Sequence, residues 1–260
     1  MIWQSARSGP VALAFTDRLG GVSDGPWASL NLGTSNGDDP ELVADNLRRL
    51  ADELGLDRLV RMTQVHGAEV VWAEDVPVDD IPVSDALLTE RPGVGVLVRV
   101  ADCTPVVLAA PTESLAGVVH CGREGLVRGV VGAAVTALRA RGATGVQAWI
   151  GPRACGRCYE LPDEMADAVA AVVPEARSTT SWGTAAIDIG AGVIAQLTAM
   201  DVDVTDLGAQ ECTIEHDRWF SYRRQGQDSG RFGAVAVIAS HPARPFLPHA
   251  PSAPSRGPRS

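Results

Sequence analysis

Lysine is absent from this chain of 260 residues; every one of its 22 basic residues is arginine. That absence removes a Schiff-base lysine, a phosphate-binding P-loop lysine and the Ser-x-x-Lys nucleophile pattern together. Alanine, glycine, arginine and valine are abundant, so a GC-rich coding sequence is a sufficient cause of the bias. Apolar runs are short, and none approaches the length of a membrane span. Met1-Ile2-Trp3-Gln4-Ser5 lacks a charged segment leading into an apolar stretch, so no signal peptide is expected. The net charge of −10 offers no attraction for nucleic acid or an acidic membrane surface. The acidity belongs to residues 1–240, because residues 241–260 hold three arginines and no acid. Cysteine comes as an odd number, five. Without a secretory signal, that favours a cytoplasmic enzyme with free or metal-bound thiols.

The hydrophobic pattern predicts strands over 11–15, 59–65, 69–73, 93–100, 106–110, 115–121, 146–150, 202–207 and 233–239. Helices are expected over 125–141, 163–173 and 188–200, and from Pro40 to Leu54. The last has Asp39 as N-cap, Pro40 at its first position and Gly55 as its stop. Its stripe at helical spacing includes Leu42, Val43, Asn46, Leu47, Leu50 and Leu54. Strands separated only by turns, with helices interspersed unevenly, indicate an α+β fold: a single layered domain over 1–240, with mixed β-sheets flanked by helices. Residues 241–260, rich in Pro, Ser and Arg, are expected to form a disordered tail. No internal repeat is evident, and the sequence sets no oligomeric state.

Three ligand-type residues share one local grammar. His66 in Thr63-Gln64-Val65-His66-Gly67, Cys103 in Ala101-Asp102-Cys103-Thr104-Pro105 and His120 in Gly117-Val118-Val119-His120-Cys121-Gly122 each adjoin an apolar run and a small or turn-forming residue. Taken singly, each reads as a satisfied polar group or a small buried hydrophobe. Together, two imidazoles and a thiolate make a three-ligand set for zinc with a fourth position open. Asp102 adds an acceptor beside it. Other motifs compete less well. Gly190-Ala191-Gly192-Val193-Ile194-Ala195 fits a dinucleotide turn, but without its βαβ frame it is better read as close packing at a helix start. Cys155-Gly156-Arg157-Cys158 leaves three readings open: a sharp loop, a redox pair, or a metal site completed by Cys212 and His216. Arg18 and Asn31, taken alone, read as loop braces.

An ordered set of segments resembles one family. They are Arg18-Leu19-Gly20-Gly21-Val22-Ser23, Ser29-Leu30-Asn31-Leu32-Gly33, Thr63 to Gly67, Ser84-Asp85-Ala86-Leu87, Ala101 to Pro105, Gly151-Pro152 through Cys158-Tyr159-Glu160, and Phe220-Ser221-Tyr222-Arg223-Arg224 with Gly230-Arg231. Across roughly residues 12–239 they resemble the laccase-domain or "multicopper polyphenol oxidase" family. Its bacterial members are described as purine nucleoside phosphorylases and, for some, peptidoglycan editing factors. The resemblance implies His66, Cys103 and His120 as zinc ligands and catalytic centre. It implies adenosine-type nucleoside and phosphate as substrates, with a deaminase side activity. Arg18, Arg224 and Arg231 are the implied phosphate holders, and Asn31, Gln64, Asp85 and Asp102 the implied substrate groups. Copper is the less favoured metal: five histidines are too few for a multicopper oxidase, and no nearby Met supplies a blue-copper axial ligand. The same three side chains also permit an amidase acting on peptidoglycan precursors, with Cys103 as nucleophile. One departure stands out. Where the family typically reads His-Ala-Gly-Trp-Arg-Gly-Leu, this chain has His120-Cys121-Gly122-Arg123-Glu124-Gly125-Leu126, which reverses the charge at the usual arginine.

Overall fold

The computed structural model describes residues 1–240, so the expected tail at 241–260 lies outside the described residues. The chain begins with β1 (Ile2–Ser8), β2 (Val11–Thr16), α1 (Pro40–Leu54), β3 (Arg58–Arg61), β4 (Val70–Trp72), β5 (Ala86–Thr89), β6 (Val94–Val100), β7 (Thr104–Ala110) and β8 (Leu115–Cys121). It continues with α2 (Arg123–Val127), α3 (Val130–Ala140), β9 (Gln147–Ile150), α4 (Asp163–Ala170), β10 (Arg177–Thr179), β11 (Ala185–Ile187), α5 (Ile189–Thr198), β12 (Asp203–Asp206), α6 (Tyr222–Gln225) and β13 (Phe232–Ile238).

Two mixed sheets result, in keeping with the expected α+β class. The first has the order β1-β2-β13-β6-β3, the second β12-β9-β7-β8-β5-β4, and β10 and β11 form a separate hairpin. Alternation along the strands divides their side chains between three apolar layers. In β6, Val96, Val98 and Val100 face the second sheet, whereas Leu97 faces Leu50 of α1. In β7, Val107 and Ala109 face the first sheet, whereas Val106 and Leu108 pack under the helices that carry Leu126, Val135 and Val193. The molecule is therefore four layers deep: α1, first sheet, second sheet, and the helices from α2 to α5.

Helix α1 forms as its sequence dictates. The Asp39 side chain accepts a hydrogen bond from Glu41 N, and Gly55 closes the helix in the left-handed region at φ 62°. Asn46 sits in the apolar stripe because it binds a loop: it accepts from Val22 N and donates to Ser23 Oγ, Ser29 O and Asn31 O. The Gly-x-Gly-x-x-Ala segment is the start of α5. Asp188 caps it by accepting from Ala191 N, and a Cβ on Gly190 or Gly192 would run into Arg153 or Leu126. Close packing explains both glycines.

Three expectations need correction. The strand expected over 59–65 ends at Arg61, where the chain leaves the first sheet for the second: Thr63 N donates to Pro82 O and Ser84 N to Thr63 O. The helix expected over 125–141 is two, broken at Gly129, whose φ of 75° no helix accommodates. Strands β1, β5, β10 and β11 are not among those the pattern predicts. β1 and β10 are only partly covered and lack a continuous apolar face, whereas β5 and β11, of four and three residues, are too short for a periodicity to show.

Candidate metal centre and its cavity

Strand periodicity places three of the expected site residues on one surface. Leu87 of β5, Val118 of β8 and Val107 of β7 face the space between the sheets. Stepping by two along these strands gives Asp85, His120 and, through Pro105, Cys103. The register agrees, with Pro105 opposite His120 and Ala86 opposite Val119. Both chain crossings from the first sheet to the second pass this same point. The β3–β4 crossing carries His66, and the β6–β7 crossing carries Asp102 and Cys103.

The ligand atoms of His66, Cys103 and His120 all lie within 4.8 Å of one another. Cys103 Sγ is 3.7 Å from His66 Nε2, and the two imidazoles meet edge to face at 4.7 Å between centroids. Metal–nitrogen and metal–sulfur bonds of about 2.0–2.3 Å span the 3.7 Å between Cys103 and His66, so the three residues are grouped closely enough to hold an ion. Gly122 keeps the space open, since a Cβ there would come within 2.5 Å of the His66 ring and 3.2 Å of Cys103 Sγ.

Asp85 braces this cluster from behind and does not line the adjoining cavity. Its buried carboxylate accepts from His120 Nδ1 at 2.7 Å and from the backbone N–H groups of Val65, His66 and Gly67 at 3.2, 2.9 and 2.7 Å. Burial alone would raise its pKa, but the bonds from His120, Gly67 and Val65 outweigh that and hold it below the usual carboxylate value. A carboxylate only accepts, so Nδ1 of His120 carries the proton and Nε2 keeps its lone pair for a metal. Burial, against the pull of Asp85, keeps the His120 imidazole neutral by lowering its pKa. The three N–H bonds also explain how His66 holds a left-handed φ of 60°.

Asp102, at φ 86°, is fixed in the same manner: its oxygens accept from Thr213 Oγ1 at 2.6 Å and from Arg223 N at 2.7 Å. Burial, with Asp102 adding to it, pushes the Cys103 thiol up to about 12. A bare thiolate is therefore disfavoured here, and a cation beside the sulfur is what would make one.

A cavity of about 480 Å³ opens over the three ligands. Of the residues the sequence singled out, Gln64, Asp102 and Arg231 line it, whereas Arg18, Asn31, Asp85 and Arg224 do not. Arg18 is bound to the carbonyls of Ala28, Pro26 and Asp217 and stacks on Phe220. Arg224 is bound to the carbonyls of Thr213, Ile214, His216 and Trp219. Each guanidinium is thus occupied in bracing a loop. Asn31 is fully buried and orders the turn below Arg231, accepting from Arg231 N and Gly33 N and donating to Asp38. Gln64 spends both ends of its amide on the backbone of Arg99.

Sequence reasoning missed Arg99, Tyr159, Tyr222 and Arg223, all of which line the cavity. The signal for Arg99 was available, as it is the one charged residue in the apolar strand β6. It donates to Leu32 O, Thr34 Oγ1 and Met62 O, and its Nε is buried without a partner among the described residues. Burial, then the nearby charges of Arg61 and Arg231, lowers its pKa to about 10. Arg231 is lowered chiefly by burial as well. Two half-desolvated cations that repel one another form a site where an anion is stabilised. Glu124, by contrast, is exposed, pairs with Arg123 and Arg128, and does not line the cavity.

A family described as "Multi-copper polyphenol oxidoreductase laccase" matches residues 12–239. The chain belongs to that family. Relatives within reach of it carry a different kind of name. A purine nucleoside phosphorylase of Streptomyces griseus is 49% identical over 241 residues, covering 89% of this chain and 96% of the relative. Another, of Corynebacterium glutamicum, is 40% identical over 235 residues, covering 88% and 95%. Among solved structures, a Neisseria meningitidis protein superposes with a TM-score of 0.83 at 28% identity, covering 92% of this chain and 99% of that one. YlmD from Geobacillus stearothermophilus gives 0.79 at 30% identity, covering 92% and 98%. The laccase-type family thus carries the four-layer fold seen here. No helix among the described residues is long and apolar enough to cross a membrane.

Proposed function

We propose that this chain is a zinc-dependent purine nucleoside phosphorylase that converts adenosine and phosphate to adenine and ribose 1-phosphate, with adenosine deamination as a side activity. The observation that carries the reading is the pairing of a His₂Cys set of candidate ligands with two half-buried guanidiniums around one cavity of about 480 Å³. That volume lies within the range of small-molecule pockets. The names of the Streptomyces and Corynebacterium relatives support the same reaction class.

His66, Cys103 and His120 would hold the metal, with Asp85 orienting His120 and the His66 turn. Zinc bound there supplies a Lewis acid next to the purine or to an attacking water. Arg99 and Arg231 hold the phosphate, gaining the anionic partner that their burial denies them. A phosphate oxygen attacks the anomeric carbon as the bond to the purine nitrogen breaks, and the electron pair leaves with the base. The aromatic faces of Tyr159 and Tyr222 offer walls for the purine. Asp102 positions Cys103 through its bonds to Thr213 and Arg223. In deamination, water attacks C6 of the purine instead of the anomeric carbon; a C6–O bond forms, the bond to the six-amino group breaks, and that group leaves as ammonia to give inosine. The reading implies small-molecule partners and a cytoplasmic setting, where the five free thiols stay reduced.

The test is adenosine incubated with and without phosphate. Adenine should appear only with phosphate, and inosine in both. Absence of both products overturns the proposal. Full activity in metal-free protein, abolished by a thiol reagent, would favour the amidase-type cysteine nucleophile instead.

A further inference from the structure

A second group of ligand-type side chains lies outside the cavity lining. Cys155, Cys158, Cys212 and Glu215 offer one sulfur or oxygen atom each, all within 4.8 Å of one another. Cys158 Sγ is 3.3 Å from a Glu215 carboxylate oxygen, and Cys155 N donates to Cys212 Sγ at 3.4 Å. None of the three cysteines is in a disulfide. The ligands come from two loops locked side by side: Thr213 N donates to Arg153 O, and Arg153 pairs across to Cys212 in an isolated bridge. The Cys-x-x-Cys turn is itself fixed, with the N–H groups of Cys158 and Tyr159 both bonding Cys155 O.

We propose that these four residues form a second, structural metal site for a thiophilic divalent cation, Zn²⁺ by its chemistry. Three thiolates and a carboxylate complete a tetrahedral shell with no position left for water, which is the pattern of structural rather than catalytic zinc. The ligand spacing Cys-x-x-Cys is a common half of such sites. Backbone N–H donation to a cysteine sulfur stabilises a metal-bound thiolate. Arg157, inside the turn, approaches Glu215 at 3.9 Å and offsets the negative charge that such a ligand set leaves. His216, next to Glu215, is not gathered with these ligands; it lies in the exposed turn where its N–H bonds Cys212 O.

The position gives the site its purpose. One loop continues from Cys158 into Tyr159 of the cavity wall, and the other carries Thr213, which binds Asp102 beside Cys103. A metal joining them staples the frame on which the Cys103 turn rests. The inference does not depend on which reaction the cavity performs.

Metal analysis of the full chain, expressed with zinc, tests it. The protein as isolated should hold close to two equivalents, Cys103→Ala one, and Cys158→Ser one. After cobalt exchange, Cys103→Ala should keep most of the thiolate-to-cobalt absorption, because three of the four ligating sulfurs remain. Glu215→Gln, an isosteric change at an exposed residue, should weaken retention of this metal against a chelator by about 10-fold or more. Complete loss of metal in folded Cys103→Ala overturns the inference. So does a disulfide among Cys155, Cys158 and Cys212 in unreduced protein, or metal retention in Glu215→Gln equal to that of the parent.

Discussion

The two groups of ligand-type residues are built on opposite plans. His66, Cys103 and His120 come from three segments far apart in sequence, mix nitrogen and sulfur donors, number three, and open onto a cavity lined by the half-buried Arg99 and Arg231. Cys155, Cys158, Cys212 and Glu215 come from two adjoining loops, offer only sulfur and oxygen, number four, and stand apart from the residues that line that cavity. Open and closed shells of this kind separate chemistry from support. On the two proposals above, the contrast is one of roles: one set faces the cavity, and the other joins the loops behind it.

The largest expected break in this contrast is Cys103→Ala. Losing a ligand of the open set should lower adenine release by on the order of 10³-fold, about 4 kcal/mol of transition-state stabilisation, while the closed set keeps its metal. Adenine release within 10-fold of the parent would mean the open set is not catalytic. Asp85→Asn comes next. It keeps one acceptor oxygen for the 65–67 turn but removes the charge behind His120, and metal affinity of the open set should drop about 10- to 100-fold. Chelator competition measures this; unchanged affinity would reduce Asp85 to a turn brace.

Arg99→Gln should raise the KM for phosphate about 10- to 30-fold, the worth of one charge-assisted hydrogen bond, with a much smaller change in the KM for adenosine. An equal change in both would show that Arg99 shapes the cavity without holding phosphate. The smallest effect is expected from Glu124→Arg, within about 3-fold in steady-state kinetics. Glu124 is exposed and paired with Arg123 and Arg128, so restoring the family's usual arginine changes a surface ion pair. A gain of 10-fold or more would show that this turn reaches the substrate.

How much of the site was legible depended on the range of the interaction. His66, Cys103 and His120 stood out because strand-end grammar is local. Arg18 and Arg224 belonged to conspicuous motifs, yet their guanidiniums bind the carbonyls of their own neighbourhood. No local pattern tells an arginine that braces a loop from one that lines a cavity. Arg99 did carry a signal, a charge amid Val94–Val100, but its meaning depended on Arg231, which arrives from the far end of the chain. Asp85 read as a substrate group for the same reason: its partner, His120, lies 35 residues away. In the metal reading of Cys155 and Cys158, the sequence offers Cys212 and His216 as completing residues; the structure gathers Cys212 with Glu215, one residue earlier.

By itself, the sequence determined the secondary elements with a continuous apolar face, the caps of α1, the absence of lysine chemistry and which three ligand-type residues stand at strand ends, since these rest on residue type and on periodicities of two and 3.6. Only the tertiary structure decided which polar groups face the cavity and which are consumed in holding it. Two crossings from one sheet to the other bring His66 and Cys103 against His120, and hydrogen bonds between segments that no sequence spacing relates fix their orientation. A long-range contact is a property of the packed layers, and it exists only once they are assembled.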